Sequence, residues 1–161
     1  MEALGDHDRA GFDCGQPELN RYFQTQVTQD IRRHITNCFI AIAMSTQIIA
    51  GYYTLAAASI ATPDLPQELT RRLPRYSSLP AVRIGRLAVD LRFRGQRLGS
   101  ALLADAALRA LKAAPASYTL LVDAKDEQAI DFYQRHGFRR LKSQPRTLFL
   151  PLATAATVLT G

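Results

Sequence analysis

A strand-like run, Val82-Arg83-Ile84-Gly85-Arg86-Leu87-Ala88-Val89, leads into a short basic loop, Arg92-Phe93-Arg94-Gly95-Gln96-Arg97-Leu98-Gly99-Ser100. Directly after it, Ala101-Leu102-Leu103-Ala104-Asp105-Ala106 opens onto an amphipathic helix. A strand, a Gly- and Arg-bearing loop and a helix N-terminus in that order make an anion site. The first helical N–H groups lack intrahelical partners, and the dipole is positive at that end. Glycine lets a phosphate come close to the backbone. Arginine adds charged, bidentate donors. The ligand expected here is a pyrophosphate.

The charge of the chain supports that expectation. Of its 20 basic residues, 17 are arginine, and the formal net charge is +6. Eight arginines (Arg71, Arg72, Arg75, Arg83, Arg86, Arg92, Arg94, Arg97) share one window whose only acid is Asp90. A second basic cluster, Arg32-Arg33-His34, closes an early helix. Arginine bias of this kind suits phosphate recognition, on a nucleotide cofactor or a nucleic acid. At 161 residues, one domain spanning residues 1–161 is expected. No segment approaches the roughly 20 apolar residues of a membrane span. The start, MEALGDHDRAGFDCG, lacks the regions of a secretory signal, so a cytoplasmic protein is expected. Cys14 and Cys38 stand apart and are expected to be reduced thiols; His7, His34 and His136 are scattered, and no metal is expected.

Periodicity orders the rest. Pro17 fits the first turn of a helix over Glu18–Ile31, where Leu19, Tyr22, Phe23 and Val27 recur at helical spacing. Asn37–Met44 and Ile48–Ile60 read as a hairpin of strands around Ser45-Thr46-Gln47. Thr62–Pro80, with four prolines, reads as an irregular connection holding a short helix at Gln67–Arg72. Then come a strand at Ala81–Val89, a helix at Gly95–Ala114, a strand at Tyr118–Val122 and a helix at Glu127–His136 capped by Gly137. Phe138–Leu141 and Thr147–Pro151 read as closing strands, and Leu152–Gly161 as a frayed tail or marginal turn. The order predicts an α/β (α+β) fold, a mixed, mostly antiparallel sheet with helices on both faces.

The loop and a second segment together resemble a known family. Arg94-Gly95-Gln96-Arg97-Leu98-Gly99 is similar to the pyrophosphate loop of the GNAT superfamily of acetyl-CoA-dependent N-acetyltransferases, Gln/Arg-x-x-Gly-x-Gly/Ala. It departs where Arg97 replaces the usual glycine. There the side chain either crowds the phosphates or turns outward onto the 3′-phosphate of CoA. Ala129-Ile130-Asp131-Phe132-Tyr133-Gln134-Arg135-His136-Gly137-Phe138 resembles the superfamily's C-terminal A-x-x-F-Y-x-x-x-G-F arrangement. The segment from His7 to Asn20, with Gly51-Tyr52-Tyr53-Thr54-Leu55-Ala56, Leu79-Pro80-Ala81-Val82, Gly85-Arg86-Leu87-Ala88-Val89-Asp90 and Val122-Asp123-Ala124-Lys125, narrows the likeness to one branch. That branch is the GNAT toxins of bacterial type II toxin–antitoxin modules.

The resemblance implies a GNAT fold and an enzyme that acetylates the α-amino group of aminoacyl-tRNA, blocking translation. It further implies a homodimer and an antitoxin with a ribbon–helix–helix domain. Acetyl-CoA is then the cosubstrate, with Leu87, Ala88 and Val89 facing the pantetheine and carbonyl. Arg92, Arg94, Gly95, Gln96, Arg97, Leu98, Gly99 and Ser100 hold the pyrophosphate. Tyr133 is the expected general acid for the departing thiolate. Arg32, Arg33, Arg71, Arg72 and Arg75 are the expected tRNA contacts. No carboxylate stands out as a general base. An α-amino group titrates near pH 8 (about 7.7–8.0), so a useful neutral fraction exists at neutral pH, whereas a lysine, at about 10.4, needs far more help. Two other readings stay open: a GNAT enzyme for small amines or protein amino groups, and a non-catalytic nucleic-acid-binding module.

Overall fold

The computed structural model describes residues 1–158. Seven strands are hydrogen-bonded in the order β1-β2-β3-β4-β5-β7-β6. These are β1 (Glu2–Ala3), β2 (Asn37–Ala43), β3 (Ile48–Ala61), β4 (Ser78–Val89), β5 (Thr119–Asp123), β6 (Arg139–Arg140) and β7 (Thr147–Pro151). The β1–β2, β2–β3, β5–β7 and β6–β7 pairs are antiparallel and the β4–β5 pair is parallel. The mixed sheet expected from the sequence is therefore present. The helices are α1 (Pro17–Arg21), α2 (Val27–Arg32), α3 (Gln67–Thr70), α4 (Leu98–Lys112), α5 (Glu127–Arg135) and α6 (Leu152–Val158).

The chain divides into two compact units, Met1–Ala56 with Gly85–Ala106, and Ala57–Ile84 with the chain from Ala107 onward. In the first, Phe12, Phe23, Val27, Ile40, Ile49 and Tyr52 form a buried cluster. Phe23 and Tyr52 stack at 4.2 Å between ring centroids, and Phe12 meets Phe23 edge-on at 4.9 Å. The Tyr52 hydroxyl, buried with its ring, donates to the Leu19 carbonyl at 2.9 Å. In the second, Ile60, Leu65, Leu79, Ala81, Leu121, Leu141 and Phe149 form the core. Parallel strands buried on both sides read as continuous apolar runs. Thr119-Leu120-Leu121-Val122 is such a run, and all four residues are buried.

Several boundaries move for local reasons. The helix expected from Glu18 is interrupted by a π-helical turn at Tyr22–Gln26, between α1 and α2. Helix α4 begins at Leu98 rather than Gly95, because Gly95 (φ +79°) and Arg97 (φ +59°) are left-handed. It stops at Lys112 ahead of Pro115, whose preceding residues are steered away from helical angles. Strand β4 starts at Ser78 rather than Ala81. Pro80 is tolerated near its start because the carbonyl is the group used, accepting from Tyr118 N–H at 2.8 Å. Strand β6 is shorter than Phe138–Leu141, since Phe138 N–H is spent on the preceding helix. The segment expected as a frayed tail or a marginal turn is helical over Leu152–Val158, with Leu152 and Ala155 buried; residues 159–161 lie outside the described residues.

Candidate active site

The phosphate-loop segment belongs to the first unit and is built on one carboxylate. Asp90 directly follows β4 and is 1% exposed. Its Oδ1 accepts from the Arg92 backbone N–H and from Arg92 Nε, both at 2.9 Å. Its Oδ2 accepts from Arg92 Nη2 at 2.9 Å and from Asp13 N–H at 3.1 Å. Burial alone would raise this carboxyl; the Arg92 guanidinium, with the Arg92 and Asp13 amides, more than offsets that and holds it below the ordinary carboxylate range. The N-terminal segment is tied in by the same residues. Leu91 N–H donates to the Asp13 carbonyl at 2.8 Å, and Asp13 Oδ1 accepts from Gly15 N–H and Asn20 Nδ2, both at 2.9 Å. Asn20 Oδ1 accepts from Cys14 N–H at 2.9 Å, and Arg94 Nη2 donates to the Cys14 carbonyl at 3.1 Å. The Phe-Asp-Cys-Gly stretch is thus a clamp on the loop. Periodicity could not show this, because the clamp joins residues far apart in sequence.

This clamp sorts the loop arginines. Both guanidinium edges used by Arg92 point into Asp90, and Arg94 is held on a carbonyl. Arg97 is exposed, and its guanidinium has no hydrogen-bond or ion-pair partner among the described residues. Beyond the 3₁₀ turn Leu91–Phe93, the left-handed Gly95 faces open space; a Cβ there would meet nothing within 4 Å. The first helical bond runs from Ala101 N–H to the Arg97 carbonyl at 3.2 Å, so Leu98 and Gly99 N–H precede the intrahelical ladder. A pyrophosphate fits such an open, donor-rich bend. Leu87, Ala88 and Val89 lie on β4 just before it. The register of β4 with β5 covers Ala81–Ile84 against Thr119–Val122, and β4 continues through Gly85–Val89 past its last pair.

Arg86 has a partner that side-chain spacing does not announce. Its guanidinium lies over the Tyr22 ring at 3.4 Å, a cation–π contact on the π-helical turn. The Tyr22 hydroxyl donates to Asp30 at 2.8 Å, and burial together with that carboxylate pushes its pKa upward. The only advance signal was the arginine itself, since π turns leave no mark in periodicity.

Tyr133 belongs to the second unit, on α5. Asp126 caps the helix by accepting from Ala129 N–H at 2.8 Å. At the other end Phe138 N–H reaches the Tyr133 carbonyl at 3.1 Å and Gly137 N–H the Gln134 carbonyl at 3.1 Å, with Gly137 at φ +92°. These are the paired bonds of a Schellman cap, whose usual apolar contact is supplied by the Tyr133 and Phe138 rings at 5.5 Å. The spacing Phe-Tyr-x-x-x-Gly-Phe is therefore a helix stop that fixes the tyrosine ring. Tyr133 is 8% exposed, and its hydroxyl has no hydrogen-bond partner among the described residues. Burial first, and then the negative charge of Asp123, push its pKa up to about 12. Asp123 itself is held by Arg83 Nη1 at 2.5 Å and Thr147 Oγ1 at 2.8 Å. The phenol stays protonated at neutral pH.

The predicted nucleic-acid arginines are exposed. Arg32 and Arg33 lie at the end of α2 in the first unit; Arg71, Arg72 and Arg75 follow α3 in the second. None of these guanidiniums forms a hydrogen bond or ion pair among the described residues. Cys14 and Cys38 are buried free thiols. No group of three or more His, Cys, Asp or Glu side chains suited to a metal occurs among the described residues.

Residues 36–140 match the profile of the acetyltransferase (GNAT) domain. The chain belongs to the GNAT acetyltransferases. A tRNA-acetylating toxin of Mycobacterium tuberculosis is 30% identical over 94% of this chain and 90% of its own length. The solved structure of AtaT complexed with acetyl-methionyl-tRNAfMet is 30% identical, with a TM-score of 0.88 over 97% of this chain and 96% of the other. A tyrosine-to-phenylalanine mutant of AtaT, bound to the C-terminus of the antitoxin AtaR and acetyl-CoA, is 28% identical, with a TM-score of 0.82 over 99% and 97%. The GNAT fold and N-acetyltransferase class expected from the sequence are thereby established. Among the described residues, no helix is long and apolar enough to cross a membrane.

Proposed function

We propose that this GNAT acetyltransferase is a toxin that moves the acetyl group of acetyl-CoA onto the α-amino group of aminoacyl-tRNA, removing it from translation. The observation that carries this reading is similarity along nearly the whole chain to a tRNA-acetylating toxin. The chemistry of the residues supports it. Acetyl-CoA supplies an activated thioester. The loop from Arg92 to Ser100 offers main-chain N–H groups and charge to its pyrophosphate, and backbone groups of Leu87, Ala88 and Val89 serve the pantetheine and carbonyl. Tyr133 donates its proton to the departing sulfur. Arg32, Arg33, Arg71, Arg72 and Arg75, each without a hydrogen-bond or ion-pair partner among the described residues, supply the phosphate contacts that tRNA requires. Residues 1–161 act as one domain in a cytoplasmic homodimer, silenced by an antitoxin with a ribbon–helix–helix domain.

Labelled acetyl-CoA incubated with charged tRNA, uncharged tRNA and small amines tests the reading. Acetyl transfer is expected to charged tRNA alone. Robust transfer to free amines with none to charged tRNA overturns it. The pH profile adds a second check. With the Tyr133 pKa raised from 10 to about 12, its protonated form persists throughout the working range. The rate is expected to rise as the α-amine (about 7.7–8.0 in peptides) loses its proton, and then to hold a plateau. An alkaline fall in kcat/KM with an apparent pKa below about 10, the ordinary phenol value, would remove Tyr133 from the role.

A further inference from the structure

Arg97 is the loop residue whose backbone and side chain the fold leaves unexplained. Its φ of +59° is a conformation that glycine adopts freely and an L side chain adopts only at a cost. The neighbouring arginines are committed, Arg92 to both oxygens of Asp90 and Arg94 to the Cys14 carbonyl. Arg97 alone among these three keeps an exposed guanidinium with no partner among the described residues. It directly precedes α4, close to the open face of Gly95.

Acetyl-CoA presents two anionic groups at its nucleotide end. The pyrophosphate suits main-chain donors, which need close backbone approach. The 3′-phosphate on the adjoining ribose is a monoester carrying nearly two charges, and it suits a side chain reaching out from the same bend. We propose that Arg97 is the residue that recognises the 3′-phosphate of acetyl-CoA. The side chain that replaces glycine in the loop thereby makes the protein selective for the phosphorylated cosubstrate over its dephospho form. The inference concerns the cosubstrate alone and holds whichever amine accepts the acetyl group.

The test is calorimetric titration of the full chain with acetyl-CoA and with acetyl-dephospho-CoA, which lacks only the 3′-phosphate. The wild type is expected to favour acetyl-CoA by about tenfold, the factor of one exposed charge-assisted contact. Arg97→Gln keeps the Cβ and removes the charge. It is expected to weaken acetyl-CoA by about the same factor, leave acetyl-dephospho-CoA unchanged, and so bring the preference to about one. Arg97→Gly should lose the preference equally without a lower thermal midpoint, since glycine accepts the left-handed backbone. Added salt should erode the preference of the wild type and leave that of Arg97→Gln untouched. Equal affinity of the wild type for both ligands overturns the inference. So does an Arg97→Gln protein that weakens both ligands alike, which would place the guanidinium on the pyrophosphate. A wild type that binds neither ligand overturns it together with the use of acetyl-CoA. A wild type that binds as expected but spares charged tRNA would sink only the toxin reading.

Discussion

Tyr133→Phe is expected to lower kcat for acetyl transfer by about 10²- to 10⁴-fold, the range spanned by positioned general acids. The magnitude follows from where the hydroxyl sits. It is carried by a ring 8% exposed and fixed by the Tyr133–Phe138 contact of the helix cap, yet it bonds to no described residue. Removing it therefore deletes a proton donor without orphaning a protein group. The thermal midpoint should stay within a few degrees of the wild type, because the usual penalty of an unsatisfied partner is absent. Affinity for acetyl-CoA, read by calorimetry, should change little, since an interaction needed mainly in the transition state appears in kcat rather than in binding. Single-turnover kinetics beside the binding curve gives the split. A variant that keeps kcat within about threefold of the wild type would fall far short of a general acid's share and assign proton donation elsewhere. One that unfolds would show instead that the hydroxyl is structural.

The two segments proposed to carry the activity are legible in the sequence because each is a local pattern with a local cause. The bend before α4 is punctuated by Gly95 and arginines, and the Tyr133 segment ends in a Gly-Phe cap; short-range rules read both. What escaped depends on partners distant in sequence or on backbone angles. Arg92 and Arg94 count as phosphate ligands in a one-dimensional reading; in the fold Arg92 is held by Asp90, the carboxylate that also takes the distant Asp13 N–H, and Arg94 by the equally distant Cys14 carbonyl. Apolar spacing puts the start of α4 at Gly95 because it carries no information about the sign of φ at Arg97. The π turn at Tyr22–Gln26 and the Arg86 stack upon it were hidden by side-chain periodicity that looks helical throughout. The small, weakly apolar residues of Leu152–Gly161 promise no more than a frayed tail or a marginal final turn. Burial of Leu152 and Ala155, with Leu152 N–H bonded to the Tyr118 carbonyl at 2.9 Å, supplies the packing that propensity alone did not promise.

Asp90→Ala should be the most destabilising single change in the loop, by about 2–4 kcal/mol. It removes the acceptor of four hydrogen bonds, three of them from Arg92 and one from the Asp13 amide. Bonds to a charged group contribute about 1.5–3 kcal/mol each when buried, but the Arg92 side chain is 50% exposed and recovers water, so the sum is far from additive. For a chain of this size the thermal midpoint is expected to fall by roughly 5–15 °C. Asp90→Asn should recover only part of the loss. Its amide keeps one acceptor for Arg92 but turns a donor toward either the guanidinium or the Asp13 N–H. The pH dependence identifies the carboxylate as the cause. Its pKa is held below the ordinary value of 3.8, so the unfolded chain binds this proton more readily than the folded one. The stabilisation is complete at neutral pH and declines as the pH falls through the folded-state pKa. The gap in unfolding free energy between wild type and Asp90→Ala, measured in urea from about pH 7 toward pH 3, should therefore narrow at the acid end. A gap independent of pH would mean that the shape of the side chain, rather than its charge, holds the loop. Acetyl-CoA binding should weaken in parallel with stability, because this carboxylate joins Arg92, at the head of the bend that carries Gly95, Leu98 and Gly99, to the Asp13 segment.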